Sequence, residues 1–99
     1  MKPFTQHVAE DRRLMILRIL SESGEYRANI YLIQRMLANV GHAVSGDMLR
    51  DDLAWLEQHG LVEVTTTAGL EIPSLISRGL DAALGRTRVP GVARPMPEA

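Results

Sequence analysis

The 99-residue sequence predicts one mainly α-helical domain with a small β-hairpin, in the order helix, helix, helix, strand, strand, helix, with a long N-terminal helix. Three observations predict it. The stretch Val44–Thr67, VSGDMLRDDLAWLEQHGLVEVTTT, reads as a capped helix, a glycine stop and a strand. Two apolar helical stretches precede it, and a second short strand with a last helix follows. The length leaves room for a single core.

The central helix, about Gly46 to His59, has both ends written into the sequence. Ser45 is an N-cap, its hydroxyl able to accept from a free amide of the first turn. Val44 and Leu49 stand at the positions of a hydrophobic staple, and Asp47 puts a negative charge in the first turn. Gly60 is a left-handed stop after which Leu61 can fold back on Leu56. Leu49, Leu53 and Leu56 form its buried face, Met48 and Trp55 flank that face, and Asp47, Arg50, Asp51, Ala54 and Gln58 point outward.

The first helix spans residues 5 to 22, with Thr5 as its expected N-cap. Ile16 and Leu20 share a face, while Met15 and Ile19 lie about 100° round. So wide an apolar arc fits a helix shared between core and partner, and homodimerisation through Val8, Met15 and Ile19 is expected. The alternative is a helix sandwiched within its own monomer. The second helix runs from Ala28 or Asn29 to Asn39, with Leu32, Ile33, Met36, Leu37 and Val40 as its buried stripe. Gly41 to Val44 is the turn into the third helix.

Leu61 to Thr67 is the first strand, Thr67-Ala68-Gly69 the turn, and Leu70 to Ile72 the return strand, ended by Pro73. Ser74 or Ser77 would cap a last helix through Leu84, with Ile76, Leu80 and Leu84 inward and Gly85 as the stop. Residues 1–85 form the domain. Residues 86–99, RTRVPGVARPMPEA, carry three prolines and three arginines and should be extended. This tail is either disordered or an arm anchored by Val89 and Val92 on the domain or on a dimer partner.

The helix and strand order is that of a winged helix-turn-helix. "MLRDDLAWLEQHGLVEV" resembles the recognition helix and wing start of ArsR-like bacterial regulators, and "SLISRGLDAALG" resembles their segment after the wing. The whole chain, including "GRTRVPGVARPMP", resembles a family of small proteins of Mu-like transposable phages and prophages. The resemblance covers roughly residues 5 to 97. It implies a phage-type winged-helix DNA-binding protein, a homodimeric transcriptional regulator without enzymatic activity. Ile76 replaces the threonine with which the regulators usually open the last helix. The chain has no cysteine, so the metal sensing of ArsR proteins is not carried over.

If the third helix enters a major groove, Ser45, Gly46, Asp47, Arg50 and Asp51 would meet base edges. Arg50 is the side chain suited to bidentate guanine contact; otherwise it pairs with Asp47 or Glu57. Thr65, Thr66 and Thr67 at the wing tip offer neutral phosphate contacts or form a plain polar hairpin. Arg27, Arg35, Arg86, Arg88 and Arg94 could flank the duplex, the tail arginines as a minor-groove arm.

Charge distribution opposes this reading. The net charge is −1, but residues 45–75 carry Arg50 alone against six acidic residues, a balance of −5. Phosphate neutralisation supplies most non-specific DNA affinity, and Asp51-Asp52 would repel a backbone unless turned inward or paired. A protein-interaction module that retains the winged-helix shape without DNA binding is therefore the alternative, with a phage or host protein as partner.

His7, His42 and His59 are too far apart to suggest a metal site. His42 and His59 read as polar surface groups, and Trp55 as a core or interface aromatic. No Ser/His/Asp arrangement, phosphate loop or carboxylate pair has meaningful spacing. No cofactor is expected. Without cysteine, signal peptide or membrane-length apolar run, the expected location is the cytoplasm of a bacterial host.

Overall fold

The computed structural model describes residues 1–96. It contains α1 (Phe4–Glu22), α2 (Ile30–Asn39), α3 (Gly46–Gln58), β1 (Val62–Thr67), β2 (Leu70–Leu75) and α4 (Ser77–Ala83). The order is compatible with a winged-helix-like fold. A short 3₁₀ turn, Gly24–Tyr26, separates α1 from α2.

The two ends of α3 form as its sequence dictates. The Ser45 hydroxyl accepts from the Met48 amide at 3.1 Å. At the other end Gly60 turns left-handed, with φ +72°. The Gly60 and Leu61 amides donate back to Glu57 and Leu56, both at 3.0 Å, which is the Schellman pairing. Leu49, Leu53, Leu56 and Leu61 are buried with Ile16, Leu17 and Leu20 of α1 and Ile33 and Leu37 of α2 in one core.

Several expectations are corrected. Thr5 lies inside α1, and Pro3 takes the N-cap position with no side-chain bond, its carbonyl accepting from Gln6 and His7. Proline suits a helix start because its missing N–H would be unpaired there. In α2, capped by the Asn29 side chain, the buried residues are Ile30, Ile33 and Leu37. Leu32, Met36 and Val40 point about 100° away from that face and stay exposed.

The return strand does not end at Pro73 but continues to Leu75. Thr67 pairs with Leu70 across a two-residue turn in which Ala68 and Gly69 both have positive φ, the twist a tight hairpin prefers. Counting from that pair, Pro73 opposite Val64 falls at a non-hydrogen-bonded position. Its nitrogen faces away from β1, so no ladder bond is lost. The Pro73 carbonyl also faces outward and accepts from the Ala28 amide. On the other strand the outward Val64 amide donates to the Glu57 carboxylate at 3.0 Å.

Neither Ser74 nor Ser77 caps α4, whose N-cap position is Ile76 with no side-chain bond. Ile76 and Leu84 are exposed rather than inward. The buried residues are Gly79, Ala82 and Ala83, because α4 lies so close to α1 and the Leu61 corner that only small side chains fit beneath it.

Residues 86–96 fold back as an arm along α1. Val89 and Val92 are buried in the core. The Ala93 amide donates to the Glu10 carbonyl at 3.1 Å, and an Arg13 Nη1–H donates to the Gly91 carbonyl at 2.9 Å. Gly91 has φ +95°, and a Cβ there would overlap Trp55 Cζ2 and lie 2.7 Å from Cη2. Gly91→Ala should therefore undock the arm at a cost of about 2 kcal/mol. Trp55 is the sole tryptophan, so the check is a red shift of its emission together with faster tryptic cleavage after Arg88. Unchanged emission and cleavage would show that the arm is not held through Gly91.

Candidate recognition face

The outward side of α3 and the hairpin beside it form the candidate site. Ser45, Asp47, Arg50 and Asp51 are all exposed there. Ser45 is already engaged as the cap. Arg50 Nε donates to Glu71 Oε1 of β2 at 2.6 Å, and its Nη1 lies 3.6 Å from the Asp47 carboxylate. The hydrogen bond that Arg50 donates to the Glu71 carboxylate holds the Arg50 pKa above its ordinary value. Arg50 therefore pairs with Asp47 and with Glu71, rather than with Glu57, which is occupied by the Val64 amide. The cation suited to reading guanine is clamped between two carboxylates.

Thr65, Thr66 and Thr67 are exposed on β1, and the Thr65 hydroxyl donates to the Ile72 carbonyl at 3.2 Å. Arg35, on α2, lines a shallow depression with Tyr31, Gln34, Ala38, Ala43 and Val44 at the start of α3. Arg27 is exposed beside β2, where its backbone bridges to Ser74. Arg86 and Arg88 are not brought to this face. Arg86 lies 3.5 Å from Asp81 after α4, and Arg88 and Arg94 line a groove with Lys2, His7 and Glu10 at the start of α1. There the hydrogen bond from Lys2, at 2.7 Å, holds the Glu10 carboxyl below the usual carboxylate range against the opposing effect of burial.

Behind the face lies a polar network that sequence spacing does not reveal. Asp52 is buried and forms a two-pronged pair with Arg12 of α1, through Nε and, at 3.2 Å, Nη2. Arg13 Nε stands 3.5 Å from the same carboxylate, and the Arg13 guanidinium sits 4.3 Å from the Trp55 ring centroid. Trp55 also stacks on His59 at 3.7 Å, whose Nδ1–H donates to the Trp55 carbonyl. Asp52 thus turns inward and pairs, leaving Asp51 outward. His42 is not a surface group: it is buried, and its Nε2 lies 2.7 Å from the Asp11 carboxylate. His59 is exposed.

Val8, Met15 and Ile19, the expected dimer residues, are half-buried along α1. Met15 and Ile19 wall a groove against α2, and Val8 lies outside it. Among the described residues no three His, Cys, Asp or Glu side chains converge to hold a metal ion. No described helix is long and apolar enough to cross a membrane.

No family model matches the chain. It is similar to the uncharacterized protein gp26 of Escherichia phage Mu, 45% identical over 92 residues that cover 93% of this chain and 95% of gp26. It is also similar to an uncharacterized protein of Haemophilus influenzae, 38% identical over 78 residues that cover 78% of this chain and 76% of the other.

Proposed function

Since this chain belongs to the Mu-like phage protein family of gp26, we propose that it is a protein-interaction module with an ArsR-like winged helix, recognising a basic protein surface through α3 and the hairpin. One observation carries the reading: Arg50 is neutralised by Glu71 and Asp47. Asp51, Glu57 and Glu63 then leave the exposed face acidic. A phosphate backbone approaching it meets carboxylates, whereas a lysine- or arginine-rich surface meets complementary charge.

A second reading, a homodimeric DNA-binding regulator, is favoured by the exposure of Arg35 near the start of a Ser45-capped α3 and of Arg27 beside β2. In that reading α3 enters the major groove and Arg50 exchanges Glu71 for a guanine edge.

The test is titration with a short polylysine peptide and, separately, with duplex DNA at about 50 mM salt, followed by amide NMR. The peptide should perturb residues 45–52 and 62–72, and Asp47→Lys should abolish the effect. Arg50→Ala should strengthen peptide binding about threefold by freeing Glu71. Duplex binding with a clear salt slope, lost in Arg50→Ala, would instead establish the DNA reading.

A further inference from the structure

We infer that the groove between α1 and α2 is a self-association face, occupied by the same groove of a second copy of this chain. Leu32, Met36 and Val40 recur at four-residue spacing along one side of α2 and are 39%, 40% and 47% exposed. A soluble helix normally turns such a stripe inward. Here the inward face is already filled by Ile30, Ile33 and Leu37. Met36 and Val40 form one wall of the groove, and Met15 and Ile19 of α1 form the other. The helices run antiparallel, since His42 just beyond α2 meets Asp11 in the first half of α1. The apolar strip is therefore continuous along both.

The rim identifies the occupant. Arg18 and Glu22 border the groove on α1, one helical turn apart. Neither forms an ion pair among the described residues. A wholly basic or wholly acidic partner would match one and be repelled by the other. A second copy, related by a two-fold axis that crosses α1 between them, sets each Arg18 against the other copy's Glu22. The self-complementary pair thus occurs twice, as an isologous interface requires. Asp11, the next acidic group along α1, is already engaged by His42, which leaves Glu22 as the matching anion. This axis brings Ile19 of both copies to the centre of the contact, with Met36 beside it. Neither α3 nor the hairpin takes part, so the inference goes beyond the proposed recognition of a basic partner and can fail without it.

The test is molar mass in solution by light scattering at about 100 µM protein, followed by dilution to obtain the dimer Kd. The wild-type chain should be a dimer. Met36→Lys, at an exposed position, should give a monomer with unchanged helical circular dichroism. Arg18→Glu and Glu22→Arg should each weaken the homodimer about tenfold, because both symmetry-related pairs become repulsive. An equimolar mixture of the two variants should recover a dimer, since in a heterodimer both pairs are again opposite in sign. An ion pair within one helix cannot produce that recovery. A monomeric wild type, or a dimer indifferent to Met36→Lys and to both charge reversals, would overturn the inference and leave the groove to a different protein.

Discussion

Gly79→Ala should destabilise the fold by about 3 kcal/mol, lowering the thermal midpoint by about 15 °C in a chain of this length. A Cβ at this position would collide with the Leu61 carbonyl oxygen and lie 2.7 Å from Leu75 Cδ1. The oxygen belongs to the backbone that carries the chain from α3 into the hairpin, and it also accepts from the Ile76 amide. It cannot swing aside as a side chain would. Relief requires α4 to move off α1, which uncovers Ala82 and Ala83. Gly24→Ala is the control, because a Cβ there meets nothing within 4 Å, and its midpoint should stay within about 3 °C of the parent's. Equal midpoints for the two variants would show that α4 is not seated on Leu61 in solution.

Arg12→Met should cost about 3 kcal/mol in urea unfolding, because it leaves the buried Asp52 carboxylate with only the more distant Arg13 as partner. The double variant Arg12→Met/Asp52→Leu should recover most of that loss, since it removes both charges and keeps the volume apolar. Burying an ion pair is expensive in desolvation, and a matched hydrophobic pair commonly does as well. A double variant as unstable as the single one would mean that the pair is needed for packing and not merely compensated.

The elements most legible in the sequence are those determined by near neighbours. Ser45 and Gly60 cap α3 through bonds that close within a few residues, so their positions alone reveal both ends. The two faces of α1 are readable for the same reason: Ile16 and Leu20 are fully buried and Met15 and Ile19 only half so. Less is readable where the partner is distant along the chain. Periodicity cannot tell that Leu32, Met36 and Val40 lose the core to Ile30, Ile33 and Leu37, since both stripes are apolar. The small-residue face of α4 follows from the closeness of Leu61, which no helical wheel contains. Pro73 reads as a stop until its register opposite Val64 is known.

The candidate site divides in the same way. The outward set Asp47, Arg50 and Asp51 follows from helix geometry, and Arg50 to Asp47 is a local pairing. Glu71, which clamps Arg50, comes from another element 21 residues on. Arg12 and Asp52 are 40 residues apart, and the only hint is that Asp51-Asp52 would repel a DNA backbone unless turned inward or paired.

The two outward-facing edges of the hairpin bear on how the chain behaves when crowded. Exposed strand edges invite another extended segment to add on, the route to fibrous aggregates and also to strand-donating ligands. Here Pro73 removes a donor from one edge while its carbonyl is taken by Ala28, and Glu57 takes the Val64 donor from the other. A segment zipping onto either side would first have to displace one of these bonds. The hairpin is thereby held as a two-stranded ribbon, with its edges closed to strand addition at Val64 and Pro73.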